Sequence, residues 1–359
     1  MIGGNGMKKK HNGIISFWKF IFSLLIIVLH LGLKHPNVRY NFRGGSIGVE
    51  FFFIVSGYLF CYKCLKTADT NITENMILFF FNKIKRFIPY IVFLWLFSLP
   101  YVILIDKIGI NGLITAFYNL IYVPVKNNPL LDIFGITWYI AAMIIAQWLL
   151  YPLIVKYKKA FIYYVSPLIV YFGGNYLLIK YGQYAVPWMP SIICFSGLIR
   201  ALVGINIGMI VFLISNKIKD INFNKFSCFL MTVFEILGYI SMFIFANKAD
   251  AHMRFDVLMT IILSICISIS FSTKSLLYNI SNNKLFYTLE KLSLPLYLNQ
   301  WAIIMMTEWY INHHHINIGF YYELFIIILI SIIIGVIEEL LISLYHKKKN
   351  NIKKLFINP

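Results

Sequence analysis

Residues 14–33 read IISFWKFIFSLLIIVLHLGL, twenty residues in which only Lys19 and His30 can carry a charge. At about 1.5 Å per helical residue such a stretch reaches about 30 Å, the thickness of a bilayer's hydrocarbon core. Nine further stretches of this kind follow, at 46–66, 86–106, 133–155, 160–180, 191–214, 227–247, 253–272, 289–310 and 320–344. The expected fold is therefore all-α, a polytopic membrane helical bundle of about ten transmembrane helices. No small-residue cleavage pattern follows the first stretch, so it is expected to be retained as a span. Between 107 and 131 the apolar run Leu113 to Val123 is too short to cross and predicts an interfacial helix. Composition agrees: 60% of the 359 residues are hydrophobic and 13% charged, against about 45–50% and 25% in soluble domains. A soluble enzyme and a disordered chain are excluded on these grounds, and five cysteines are too few for a disulfide framework.

The formal charge of +18 would suggest nucleic acid in a soluble chain, but in a membrane chain it reflects cytoplasmic loops held at an anionic leaflet. With the N-terminus inside, 22 of the 32 Lys and Arg fall on cytoplasmic segments and 8 on outer ones. Both termini are thus expected in the cytoplasm, with a tail at 1–13, a transmembrane domain at 14–344 and a basic tail at 345–359. A multi-pass protein of the cell membrane follows, with membrane lipid and no nucleic acid as partner.

Ionisable groups inside spans carry the most information, because each costs roughly 2.5–3.5 kcal/mol at a helix centre. Lys19, His30, Glu50, Arg200, Glu235 and Glu308 are of this kind. Lys19 and His30 are eleven residues apart, which puts them on one helix face about 16 Å apart. Glu50 enters the second span at a depth similar to that of His30. A carboxylate beside an imidazole fixes its tautomer and raises its basicity, as a general base requires; an interfacial His and Glu reaching the headgroups fit the same spacing. Lys83 and Arg86, three apart, share a face suited to phosphate groups, and they equally serve orientation. Cys61 and Cys64 lack a second pair or a nearby histidine for zinc, His313 to His315 form a solvated loop, and Glu235 is expected to pack on a Lys, Ser or Tyr; no metal site is expected.

Taken in order, His30, the run Gly48 to Tyr58 (GVEFFFIVSGY), Lys83 and Arg86 before Pro89, Trp138-Tyr139, Arg200 and Tyr297-Leu298 form a pattern. It resembles the membrane-bound acyltransferase family 3, integral-membrane O-acyltransferases of bacterial surface glycans and antibiotics. The resemblance implies that His30 is catalytic with Glu50 as its acidic partner, directly or through an acyl-His30 intermediate. It also implies that Lys19, Lys83 and Arg86 hold the phosphates of acyl-CoA. Ser56, Tyr58, Trp138, Tyr139, Arg200 and Tyr297 support the site. Lysine stands at 19 and 83 where the family has arginine, which removes the bidentate fork, and Gln300 replaces a histidine. The activity implied is transfer of an acyl group, acetyl above all, from acyl-CoA to a hydroxyl of a carbohydrate or lipid-linked glycan, alongside glycan-assembly proteins. No other cofactor is expected. A transporter or exporter of a glycan or small molecule is the other reading of the same buried charges.

Overall fold

A computed structural model describes residues 12–35, 37–38, 42–68, 70–104, 135–186, 195–247, 255–281 and 283–357; the segment expected to hold the interfacial helix lies outside them. Ten helices of 16 residues or more build the described part: α1 Gly13–Lys34, α2 Ile47–Lys66, α3 Ile72–Leu104, α4 Trp138–Ala160, α5 Ser166–Tyr181, α6 Ser196–Asp220, α7 Lys225–Ala246, α8 Asp256–Ser272, α9 Lys284–His313 and α10 Phe320–Ile357. There is no strand among the described residues. Among the described residues six stretches are long and apolar enough to cross a membrane: Gly13–Lys34, Arg43–Lys66, Gly135–Tyr181, Ser196–Asp220, Lys225–Ala246 and Phe320–Lys349. The other expected spans fall on α3 and α9, which are long but carry charged ends, on the 17-residue α8, and on the second half of the Gly135–Tyr181 stretch.

That last stretch contains a reversal. Lys158 takes φ 49° and ψ −129°, a left-handed backbone that lysine adopts at a cost. Ahead of it, Trp138 lies beneath Arg200 of α6. After it, Ser166 reaches Met209 and Gly173 meets Val203. So α4 runs parallel to α6 and α5 returns antiparallel, with Lys158 at the corner donating to the carbonyl of Thr67 at the end of α2, 2.5 Å away.

Elsewhere capping and close packing set the geometry. Asn12 accepts the Ile15 N–H at 3.2 Å and donates to the Ser270 carbonyl at 2.9 Å, so one side chain starts α1 and ties it to α8. Such a cap is worth about 1 kcal/mol. Between α2 and α6 two glycines face each other: a Cβ on Gly57 would sit 2.2 Å from the Ile205 oxygen, and one on Gly208 2.1 Å from the Ile54 oxygen. The backbones touch, as small residues permit in apolar bundles.

Against α9, helix α1 runs parallel and in step. Lys19 pairs with Glu290, Ser23 donates to the Ser293 carbonyl, His30 meets Gln300 and Trp301, and Lys34 pairs with Glu308. The tail expected from 345 continues α10 as helix to Ile357.

Candidate active site

A cavity of about 630 Å³ opens between α1, α2, α3, α4 and α9, within the range of small-molecule sites. At one end it is lined by Lys63, Lys66, Lys83 and Arg86; inward it passes Phe52, Ser56, Tyr139 and Tyr297, with Lys19 and Glu290 on one wall. Along α2 it runs from Thr67 to Phe52, about 22 Å at the helical rise. Four cations at the mouth and a phenolic, largely apolar interior suit an elongated ligand with anionic groups at one end.

α3 explains how the mouth forms. The helix already begins at Ile72, so Lys83 and Arg86 lie one turn apart on a formed helix, ahead of the apolar stretch. Lys63 of α2 and Lys83 of α3 both approach the ring of Phe79, at 4.6 and 5.8 Å from its centre. Lys83 is half-buried. Burial first, then the neighbouring Arg86 and Lys63 charges, lowers its ammonium pKa to about 7. An uncompensated cation cluster of this kind is relieved by an anion.

Lys19, the basic residue that orientation does not explain, has a partner that the sequence reading overlooked. Its Nζ lies 2.5 Å from Glu290, whose other carboxylate oxygen accepts from Ser16 at 2.8 Å. The pair lies in the cavity wall, so Lys19 does reach the compartment of Lys83 and Arg86.

Glu50 is not placed against His30. Both its oxygens accept from Arg200, Nε at 2.5 Å and Nη2 at 2.6 Å, and both side chains are 1% exposed. The remaining guanidinium hydrogens go to the carbonyls of Ala185, Val186 and Ser46 at 3.2–3.3 Å. All five donors of the arginine are thus used, with Trp138 against the guanidinium at 5.6 Å. The same 184–185 backbone donates to Asp256. Glu50 and Arg200 therefore clamp α2, α6 and the 184–186 segment together, and the expected Glu50-to-His30 contact is replaced by this one. The spacing rule brought Glu50 to the right depth; the nearer and stronger partner was 150 residues away in sequence.

His30 instead faces α9. Gln300 interacts with it and the Trp301 ring meets it edge-on at 5.1 Å. His30 Nδ1 and Gln300 Oε1 are buried without a well-formed hydrogen bond, while Gln300 Nε2 donates to the Tyr297 carbonyl at 2.9 Å. His30 is not among the lining residues of the cavity; its partner Gln300 stands three residues of α9 beyond Tyr297, about 4.5 Å along the axis.

The supporting residues divide. Tyr139 comes within 3.4 Å of Ser56, and Tyr297 donates to the Ile136 carbonyl at 3.0 Å; these close the inner end. Tyr58 stacks on Phe271 at 3.6 Å and belongs to the packing of α2 on α8. Glu235 accepts from Ser270, as expected of a carboxylate packed on a serine. Glu338 and Glu339, within the last predicted span but passed over in the sequence, accept from Asn299 at 2.6 Å and from Tyr90 at 2.7 Å. Among the described residues no group of three or more His, Cys, Asp or Glu converges as a metal site.

These features define a multi-pass helical membrane protein with a deep, cation-mouthed cavity ending beside a half-buried histidine. The acyltransferase domain model of the acyltransferase 3 family matches residues 12–338, and the chain belongs to that family. It is an acyltransferase acting with groups other than aminoacyl groups. No curated protein and no solved structure matches it.

Proposed function

We propose that this protein is an O-acyltransferase of the cell membrane that moves an acyl group, acetyl in the first instance, from acyl-CoA to a hydroxyl of a surface or lipid-linked glycan. The observation that carries the reading is the cavity itself, cationic at the mouth and ending three residues of α9 short of Gln300, the partner of His30. The donor's phosphates would sit among Lys83, Arg86 and Lys19, joined by Lys63 and Lys66, which the sequence reading had left to topology. Its pantetheine arm would follow α2 inward and bring the thioester to Ser56, Tyr139 and Tyr297. His30 would take the proton of the acceptor hydroxyl as its oxygen forms a bond to the thioester carbonyl; the carbon–sulfur bond then breaks and the CoA thiolate takes the proton. General-base help of this kind is worth about 10²–10⁴-fold.

Ten crossings, which leave both termini on one face, are supported by chain direction, and the lysine and arginine count favours the cytoplasm for that face. α1 and α9 run parallel, as do α2, α4 and α6, while α1 and α2 are antiparallel, as are α5 and α6. This is the alternation that ten successive crossings produce.

The test is acyl transfer by membranes carrying His30→Ala, with insertion and CoA binding measured on the same sample. Transfer should fall at least about a hundredfold with CoA binding kept. Undiminished transfer to the glycan would remove His30 from the chemistry.

A further inference from the structure

A second cavity, about 370 Å³, lies between α3, α9 and α10, lined by Phe97, Ile303, Met306, Thr307, Ile326 and Ile330 among others. It meets α9 further along the helix than the first does. Glu290, Ser293 and Tyr297 line the donor cavity, Gln300 and Trp301 meet His30, and Ile303, Met306 and Thr307 line the second cavity. Along the axis of α9 these groups follow one another in that order, at about 1.5 Å per residue. His30 therefore stands between two compartments, one cationic and one almost wholly apolar.

We infer that the second cavity holds the lipid chain of the acceptor, a sugar carried on a long-chain lipid through phosphate. This deepens the proposed acyl transfer and rests on it. Three observations favour that occupant. First, the cavity is open sideways: Tyr310, Ile316 and Ile326, all lining it, are 53%, 40% and 38% exposed, so a chain can enter from the bilayer. Second, at that end of α1 the exposed Lys34 is ion-paired with Glu308, the residue after Thr307, at 3.1 Å, so a charged pair for the lipid's polar headgroup stands near the cavity. Third, the donor's own acyl chain would have to pass Gln300, which is fully buried, to reach it. A lipid held there would present its sugar toward His30 from the end opposite the cationic mouth.

The experiment uses the full chain in lipid nanodiscs with a photoreactive polyisoprenyl phosphate, and maps labelled peptides by mass spectrometry. Label should concentrate on 303–311 and 326–330. Unlabelled polyisoprenyl phosphate should compete at least about tenfold better than phosphatidylglycerol, since two additional buried methylenes suffice for that ratio. Ile330→Trp, and separately Met306→Trp from the facing helix, should fill the space and remove the label, while CoA binding reports that the protein is folded. Label spread over the lipid-facing surface, or equal competition by phosphatidylglycerol, would overturn the assignment in favour of bulk lipid. Label from a photoreactive long-chain acyl-CoA at the same peptides would overturn it in favour of the donor's tail. Because lipid labelling needs no turnover, a failure of acyl transfer and a failure of this site are separately visible.

Discussion

Glu50 shows how far single residues can be read before their partners are known. Its place inside a span was legible, because a carboxylate in an apolar run is conspicuous. Its partner was not, because nothing in local spacing announces that Arg200 arrives on α6. The consequence is measurable. Removing one member of a buried, hydrogen-bonded ion pair costs about 3–5 kcal/mol, so Glu50→Ala and Arg200→Ala should each lower the thermal stability of the purified protein markedly. The double variant should lose less than the sum. If Glu50 served His30 instead, activity would fall with stability unchanged and Arg200→Ala would not resemble it. Lys83 gives a second prediction. With its ammonium pKa near 7 in the free protein, the side chain is charged below that pH and neutral above it, and a bound phosphate restores the charge. The KM for acyl-CoA should thus rise about tenfold between pH 6 and pH 8. Lys83→Arg, always charged, should flatten the profile; a KM that ignores pH in the wild type would remove Lys83 from the phosphate contact.

Helices were legible wherever twenty apolar residues ran together, and less so where a helix carries its own chemistry. α3 starts at Ile72, well before the apolar stretch at 86, because Thr73, Glu74 and Lys83 tolerate a helix that the membrane does not enclose. This early start is what turns Lys83 and Arg86 into a helical pair at the cavity mouth. Between α4 and α5 the expected loop at 156–159 shrinks to the single left-handed residue Lys158, which no hydropathy profile marks. In the stretch Gly48 to Tyr58 of α2 the glycine before Tyr58 marks close packing, and its partner needed the structure: Gly57 faces Gly208 across a backbone contact. A methyl at either position must push α2 off α6. Gly208→Ala should destabilise by about 1–3 kcal/mol, and should also loosen the clamp at Glu50, since both lie along the same α2–α6 contact. Thermal unfolding in detergent measures the first effect. An unshifted midpoint would mean that the two helices can part without loss.

At the scale of the whole molecule, charge and chain direction lead to the same topology by independent routes. The count of Lys and Arg uses charges between the spans and at their ends, whereas the parallel step of α1 against α9 uses side-chain contacts between Lys19 and Lys34 and their partners from Glu290 to Glu308. For two helices eight positions apart in a row of ten to run parallel, the chain between them must cross an odd number of times, as the seven helices α2 to α8 do. Taken with the charge count, the proposed topology would put the Lys63, Lys66, Lys83 and Arg86 mouth on the cytoplasmic side, where acyl-CoA is made, and the second cavity toward the opposite leaflet. A direct measurement is available at two exposed positions. Asn317→Cys, in the connection between α9 and α10, should react with a membrane-impermeant maleimide on intact cells. Lys284→Cys, at the start of α9, should react only after permeabilisation. If Lys284→Cys were the one labelled from outside, the cationic mouth would open away from the donor. The acyl-CoA reading would then fail with it, however well His30 is placed.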